Sequence, residues 1–144
     1  MREKSLLIRA LGGSKILGSS VLSEDQLREV IQRGLPYGAV ESFLARFNLA
    51  LKDLARIGRI SPRTMARRRK ARRLEREESD RLYRMARILV HAEEVFEDKN
   101  KASRWLRRPH PLLKGQKPLE MLDTDIGSRQ VDTLLGRIEH GVYS

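Results

Sequence analysis

The stretch RTMARRRKARR, residues 63 to 73, sets Arg63, Arg67, Arg68, Arg69, Lys70, Arg72 and Arg73 within about three helical turns. Cations at that density do one kind of chemistry well: they neutralise phosphate oxygens and release the counterions condensed around them. The charge is local. Residues 59–76 carry 9 Lys/Arg against 1 Asp/Glu, whereas residues 1–58 carry 9 against 6 and residues 77–144 carry 12 against 12. Most of the net charge of +11 therefore belongs to one patch, and a patch points to nucleic acid more than an evenly spread excess would. A solvated helix face is the bland alternative for any lone basic run. RNA is the rival ligand, but the segment lacks the aromatic residues on which unpaired bases stack.

Nothing in the chain resembles a reaction centre. His91, His110 and His140 share no ligand spacing, cysteine is absent, no glycine-rich phosphate loop occurs, and no serine or glutamate sits in the context of a nucleophile or base. The expectation is a non-enzyme with no metal, no cofactor and no small-molecule substrate. The absence of cysteine fits a reducing compartment, and no run approaches the ~18 apolar residues of a membrane span. A cytoplasmic protein without membrane contact is expected.

The elements that must carry these residues are all helical. No window alternates apolar and polar residues, while several repeat apolar positions every three to four. Residues 1–22, with GGS at 12–14 and GSS at 18–20, read as a flexible lead-in. Ser23 and Gln26 form a capping box for the next helix, which Gly34 ends. A second helix buries Val40, Phe43, Leu44 and Phe47, and Asn48 closes it. A short third helix runs from Leu51 to Ile57. Ser61 followed by Pro62 starts the fourth, because a serine oxygen caps free N–H groups and proline has none to waste. The last two have helix-turn-helix spacing, which places Pro62, Arg63, Thr64 and Arg67 nearest the bases of a duplex, with the capping Ser61 also among the candidate DNA-binding residues. Arg68, Arg69, Lys70, Arg72 and Arg73 then fall to phosphates.

Downstream, residues 77–96 form a long helix with a broad apolar stripe. Leu82, Met85, Leu89 and Phe96 are its candidate homodimer seam, since helix-turn-helix proteins pair to span two half-sites. Short helical pieces follow around Trp105 and at Pro118–Leu122, and Thr124 caps a last helix that buries Val131, Leu134, Leu135 and Ile138.

The basic helix, EESDRLYRMARI after it, and then VFED, RWL, KPLEML and LLGRIEHGVYS together resemble the Xre/MbcA/ParS-type antitoxins of RES-Xre modules, over residues 23–144. The resemblance implies an Xre-like helix-turn-helix domain, here residues 23–76, followed by a dimerisation and C-terminal toxin-binding domain, residues 77–144. It implies two partners: a RES-domain toxin that depletes NAD, whose active site the antitoxin covers, and operator DNA through which the complex represses its operon. Two positions depart from the family pattern. Gly58 stands one place early, leaving Arg59 where a left-handed residue is needed, at a cost of about 1 kcal/mol, and Ala50 stands where a Ser or Thr cap is usual.

The tail LLGRIEHGVYS continues apolar to its end. Leu134, Leu135 and Ile138 belong to the core face. Arg137, Glu139, His140, Val142 and Tyr143 interrupt or outrun that face, and with Tyr and Arg favoured as interface anchors they are the candidate toxin contacts. The alternative is a stand-alone dimeric helix-turn-helix regulator, for which such a tail has no use.

Overall fold

Five side-chain oxygens set the frame. Ser23 Oγ accepts from the Gln26 N–H (3.1 Å) while Gln26 accepts from the Ser23 N–H (2.9 Å), and Ser61 Oγ accepts from the Thr64 N–H (3.1 Å). Asp98 accepts from the amides of Asn100 and Lys101, and Thr124 from that of Gly127. Each satisfies an orphan donor and so fixes where a helix starts. The computed structural model describes residues 2–18 and 23–141. In it the chain forms α1 (Arg2–Ala10), α2 (Gly13–Leu17), α3 (Glu24–Arg33), α4 (Gly38–Phe47), α5 (Leu51–Ile57), α6 (Pro62–Ala71), α7 (Arg76–Phe96), α8 (Lys99–Leu106) and α9 (Asp125–Glu139). Two 3-10 turns, Pro111–Leu113 and Pro118–Asp123, join α8 to α9. The all-α fold expected from the periodicity is the observed one, with no strand among the described residues.

The long helix α7 is the spine, and α1, α3, α4, α8 and α9 all pack on it. This overturns two expectations. Within the expected lead-in, residues 2–18 are not simply flexible: α1 and α2 pack on α7 and α4 and bury Leu7, Ala10, Leu11 and Leu17. With that cover in place, Leu82, Met85 and Leu89 are only 1%, 1% and 2% exposed within a single chain. They hold the monomer together, and no area is left on them for a second copy. Phe96 is half-buried against Trp105, with ring centroids 5.5 Å apart, so it too is used within the chain. The apolar stripe is wide because helices close on it from several sides, not because a partner waits for it.

Gly34 shows how tightly the N-terminal helices are joined. Its φ of +93° ends α3, and a Cβ there would lie 2.1 Å from the Leu74 carbonyl oxygen, so only glycine fits. The connection Leu35–Tyr37 then runs beside the exit of α6, where Leu74 N–H donates to Leu35 O and Tyr37 N–H to Arg72 O. Ser79 Oγ of α7 accepts from the buried Leu35 amide at 2.8 Å. The exit from the basic helix is thereby locked to the spine.

Candidate DNA- and partner-binding surfaces

The turn between α5 and α6 is built as the sequence departures require. Arg59 takes φ +56°, a left-handed conformation that glycine would adopt without strain. Ala50 offers no cap to α5, and Asp53 supplies half of one by accepting from the Ala50 N–H at 2.9 Å. That bond, with Arg56 beside it, holds the Asp53 carboxyl below its usual range against burial. Met65 of α6 and Leu54 and Ile57 of α5 are buried between the helices, so α6 is presented as a rigid rod.

The expected DNA-contacting residues divide on this rod. Arg63, Arg67, Arg69 and Lys70 are exposed, as is Arg72 at the left-handed end of the helix, and none of them forms an ion pair among the described residues. Ser61 and Thr64 are tied to each other, Oγ to Oγ1 at 3.0 Å, in the cap. Arg68 must be withdrawn from the phosphate-contacting set. Its side chain is 17% exposed and donates through Nε to Glu78 Oε1 at 2.7 Å, with Glu75 3.5 Å away. Burial alone would raise the Glu78 carboxyl; the Arg68 guanidinium and the Glu75 amide more than offset this and hold it below the usual carboxylate range. Arg73 donates to the Gly34 carbonyl at 2.7 Å and braces the α3 exit, although its side chain stays in contact with solvent.

At the other end of the spine, α9 lies on α7 and on the 118–123 turn. Gly127 permits the close approach, since a Cβ there would sit 2.0 Å from the Met121 carbonyl oxygen. Of the expected partner-binding residues, Arg137 and His140 are exposed, whereas Glu139 faces back to α7 and lies 3.3 Å from His91 Nε2. Val142 and Tyr143 lie outside the described residues. His91 is the partly buried helix histidine that its position beside the stripe suggests, and its Nδ1 is 2.7 Å from Asp132 Oδ1. The Asp132 hydrogen bond raises the imidazole above its ordinary value against the opposing effect of burial, with Glu139 adding to it. Asp132 is correspondingly held low, chiefly by His91. This cluster escaped sequence reasoning because its members are 41 and 48 residues apart.

A groove that the sequence reading missed opens between α9 and the loop before it. It encloses about 670 Å³ and is lined by Leu112, Lys114, Met121, Ile126, Arg129 and Arg137, among others. Ile126 is 72% and Leu112 52% exposed, unusual for aliphatic side chains of that size. The signal was present: Ile126 shares a helix face with Gln130, Thr133 and Arg137, not with the core face of Val131, Leu134 and Leu135.

A helix-turn-helix unit with an exposed cationic reading helix, sharing one long spine with a capped C-terminal helical unit, defines a two-headed binding protein. Comparison with known families divides the chain within that spine. Residues 26–87 match the antitoxin Xre-like helix-turn-helix domain, and residues 91–141 match the antitoxin Xre/MbcA/ParS C-terminal toxin-binding domain. The antitoxin Xre of Photorhabdus laumondii is 34% identical over 132 residues, covering 90% of this chain and 89% of that protein. The antitoxin Xre of Yersinia enterocolitica is 32% identical over 120 residues, 82% of this chain and 81% of that one. A Prs ADP-ribosylating antitoxin of a Sphingobium species is 30% identical over 80 residues, about half of each chain. The chain belongs to the Xre antitoxin family. It is an antitoxin of a toxin–antitoxin system that carries a helix-turn-helix domain. No helix among the described residues is long and apolar enough to cross a membrane.

Proposed function

We propose that this antitoxin neutralises a RES-domain toxin that depletes NAD, by covering the toxin's active site with residues 137–144, and that it binds operator DNA through α6 to repress its own operon. It acts by binding alone, in the cytoplasm, with no cofactor. The observation that carries the reading is the pairing in one chain of an exposed cationic reading helix with an α9 whose Arg137 and His140 stand exposed inside the toxin-binding match. That match favours an antitoxin over a stand-alone regulator. An arginine and an aromatic residue inserted into the mouth of a dinucleotide pocket exclude substrate by occupancy, with no chemistry of their own. Two copies pair on the operator, through a surface other than Leu82, Met85 and Leu89. The groove between α3 and the first turns of α7 suits such pairing, because Asp25, Arg28, Arg76 and Asp80 give it both signs of charge.

Co-expression with the RES-domain toxin of the same operon tests the tail. The intact antitoxin is expected to hold cellular NAD at the uninduced level. Deletion of residues 137–144, or Arg137→Ala with Tyr143→Ala, is expected to let NAD fall while specific DNA binding persists. If the truncated chain still protects NAD, the inhibitory surface lies elsewhere.

A further inference from the structure

Two of the most exposed large aliphatic side chains, Leu112 and Ile126, line the same groove and come from different elements. Leu112 sits on a loop that is held from several directions. His110 N–H donates to Gln116 O (3.0 Å), Gly115 N–H donates to His110 O (2.9 Å), and His110 Nδ1 accepts from the Leu112 amide (3.1 Å). Behind the loop, His110 packs edge-on to Trp105 with ring centroids 6.0 Å apart, and Trp105 packs on Phe96. Ile126 stands in the first turn of α9, which Thr124 caps and Gly127 seats on the 118–123 turn. The backbone that carries both side chains is therefore held in place before anything binds, which lowers the ordering cost of association.

The lining carries a sign. Lys114, Arg129 and Arg137 line the groove, and no carboxylate does. Asp125, which accepts from Arg129 Nε at 2.9 Å, lies outside the lining. A lining that combines exposed aliphatic side chains with cations has the composition of a protein interface, which joins apolar to polar contacts. It fits an aliphatic side chain flanked by Asp or Glu, and it disfavours a basic segment. The groove is large enough for several side chains, and every lining residue falls within the part of the chain that matches the toxin-binding domain.

We propose that this groove seats an acidic, aliphatic segment of the toxin, as a second anchor beside the C-terminal residues, with Arg137 shared between the two. The proposal rests on the antitoxin reading above and adds to it where the toxin is gripped and by what chemistry. The tail blocks; the groove holds.

The test uses the full-length antitoxin and a catalytically inactive form of the RES-domain toxin from the same operon, with affinity measured by calorimetry. Ile126→Glu and Leu112→Glu each place a carboxylate where the segment's own acids would lie. Each is expected to weaken binding by about tenfold or more, in the range of an interface anchor. Lys114→Glu with Arg129→Glu is expected to weaken it too, and to flatten its dependence on salt. Because both aliphatic side chains are exposed, melting temperature and duplex-DNA affinity should stay at wild-type values, which separates a lost contact from a lost fold. Toxin affinities of Ile126→Glu and Leu112→Glu within twofold of wild type overturn the groove while leaving the antitoxin reading intact. Loss of self-association in Ile126→Glu at unchanged toxin affinity overturns it in favour of a second copy. A wild-type protein that does not bind the toxin at all overturns the antitoxin reading and this occupant together.

Discussion

Arg67 and Arg68 are neighbours with the same charge, and their surroundings give them opposite duties. Arg67 points to solvent, while Arg68 neutralises Glu78, whose side chain is only 8% exposed. Removing one member of a buried pair strands the other in a poor solvent for charge. Arg68→Ala is therefore expected to destabilise the fold by about 2–3 kcal/mol, less than a fully buried pair because Arg68 keeps some water, whereas Arg67→Ala stays within about 0.5 kcal/mol. Urea denaturation compares them, and equal midpoints would remove the bracing role. Arg68→Met with Glu78→Leu should recover much of the loss, since no charge is then left buried. His91 makes a pH-dependent counterpart between Asp132 and Glu139 of α9, with Arg87 3.8 Å from Asp132. The fold favours the imidazolium, so its contribution is fully present below the ordinary histidine value of about 6.5 and is lost as pH rises through the higher folded-state value. Asp132 has the reverse dependence, and its share is lost only as pH falls below about 3.9 through its depressed value. The melting-temperature advantage of wild type over His91→Gln should accordingly be largest between about pH 4 and 6.5 and shrink towards pH 9. A constant difference across that range counts against the pair.

Among the elements, α6 has its two jobs at successive turns. The exposed residues Arg63 and Arg67 follow the cap, and Arg69 and Lys70 lie a turn further on. Arg63→Ala or Arg67→Ala is expected to cost about 1–3 kcal/mol of operator preference, whereas Arg69→Ala should weaken all duplexes alike and reduce the salt slope by about one unit. Titrations against operator and random duplex at several salt concentrations separate the two, and unchanged discrimination in Arg63→Ala would rule out the docking. This helix was legible because its signals are local: Ser61 caps Thr64 three residues on, and Pro62 needs no partner for a missing N–H. The same holds for Ser23, Asn48 and Thr124, whose geometry is set by their immediate neighbours. The role of Arg68 was not legible, since Glu78 lies beyond the end of the helix and across a connection whose path the sequence does not state. The groove was half legible: an isoleucine off the core face of α9 marks one wall, but the loop carrying Leu112 meets it only in three dimensions.

Across the whole molecule the least legible feature was the N-terminal cover. α1 is short and followed by Gly12 and Gly13, and on its own it would be marginal as a helix. Its stability comes from α7, which no local pattern reveals. Burying Leu7, Leu11 and Leu17 is worth about 3–8 kcal/mol, a large part of the ~5–15 kcal/mol that holds an ordinary domain together. Deleting residues 2–18 is therefore expected to lower the melting temperature by about 10 °C or more and to bare part of the α7 stripe, producing larger species in light scattering. A truncated chain that melts like the full one would show that the cover contributes nothing. The same arrangement imposes a schedule on synthesis. Some seventy residues separate Leu11 from Leu82, and at about 5–20 residues per second α1 emerges several seconds before the helix that covers it exists. For that interval its leucines have α2 and α4 to join but not the spine, and its backbone is more open to proteases and chaperones, so the cell can discard or hold a new antitoxin before it has ever folded.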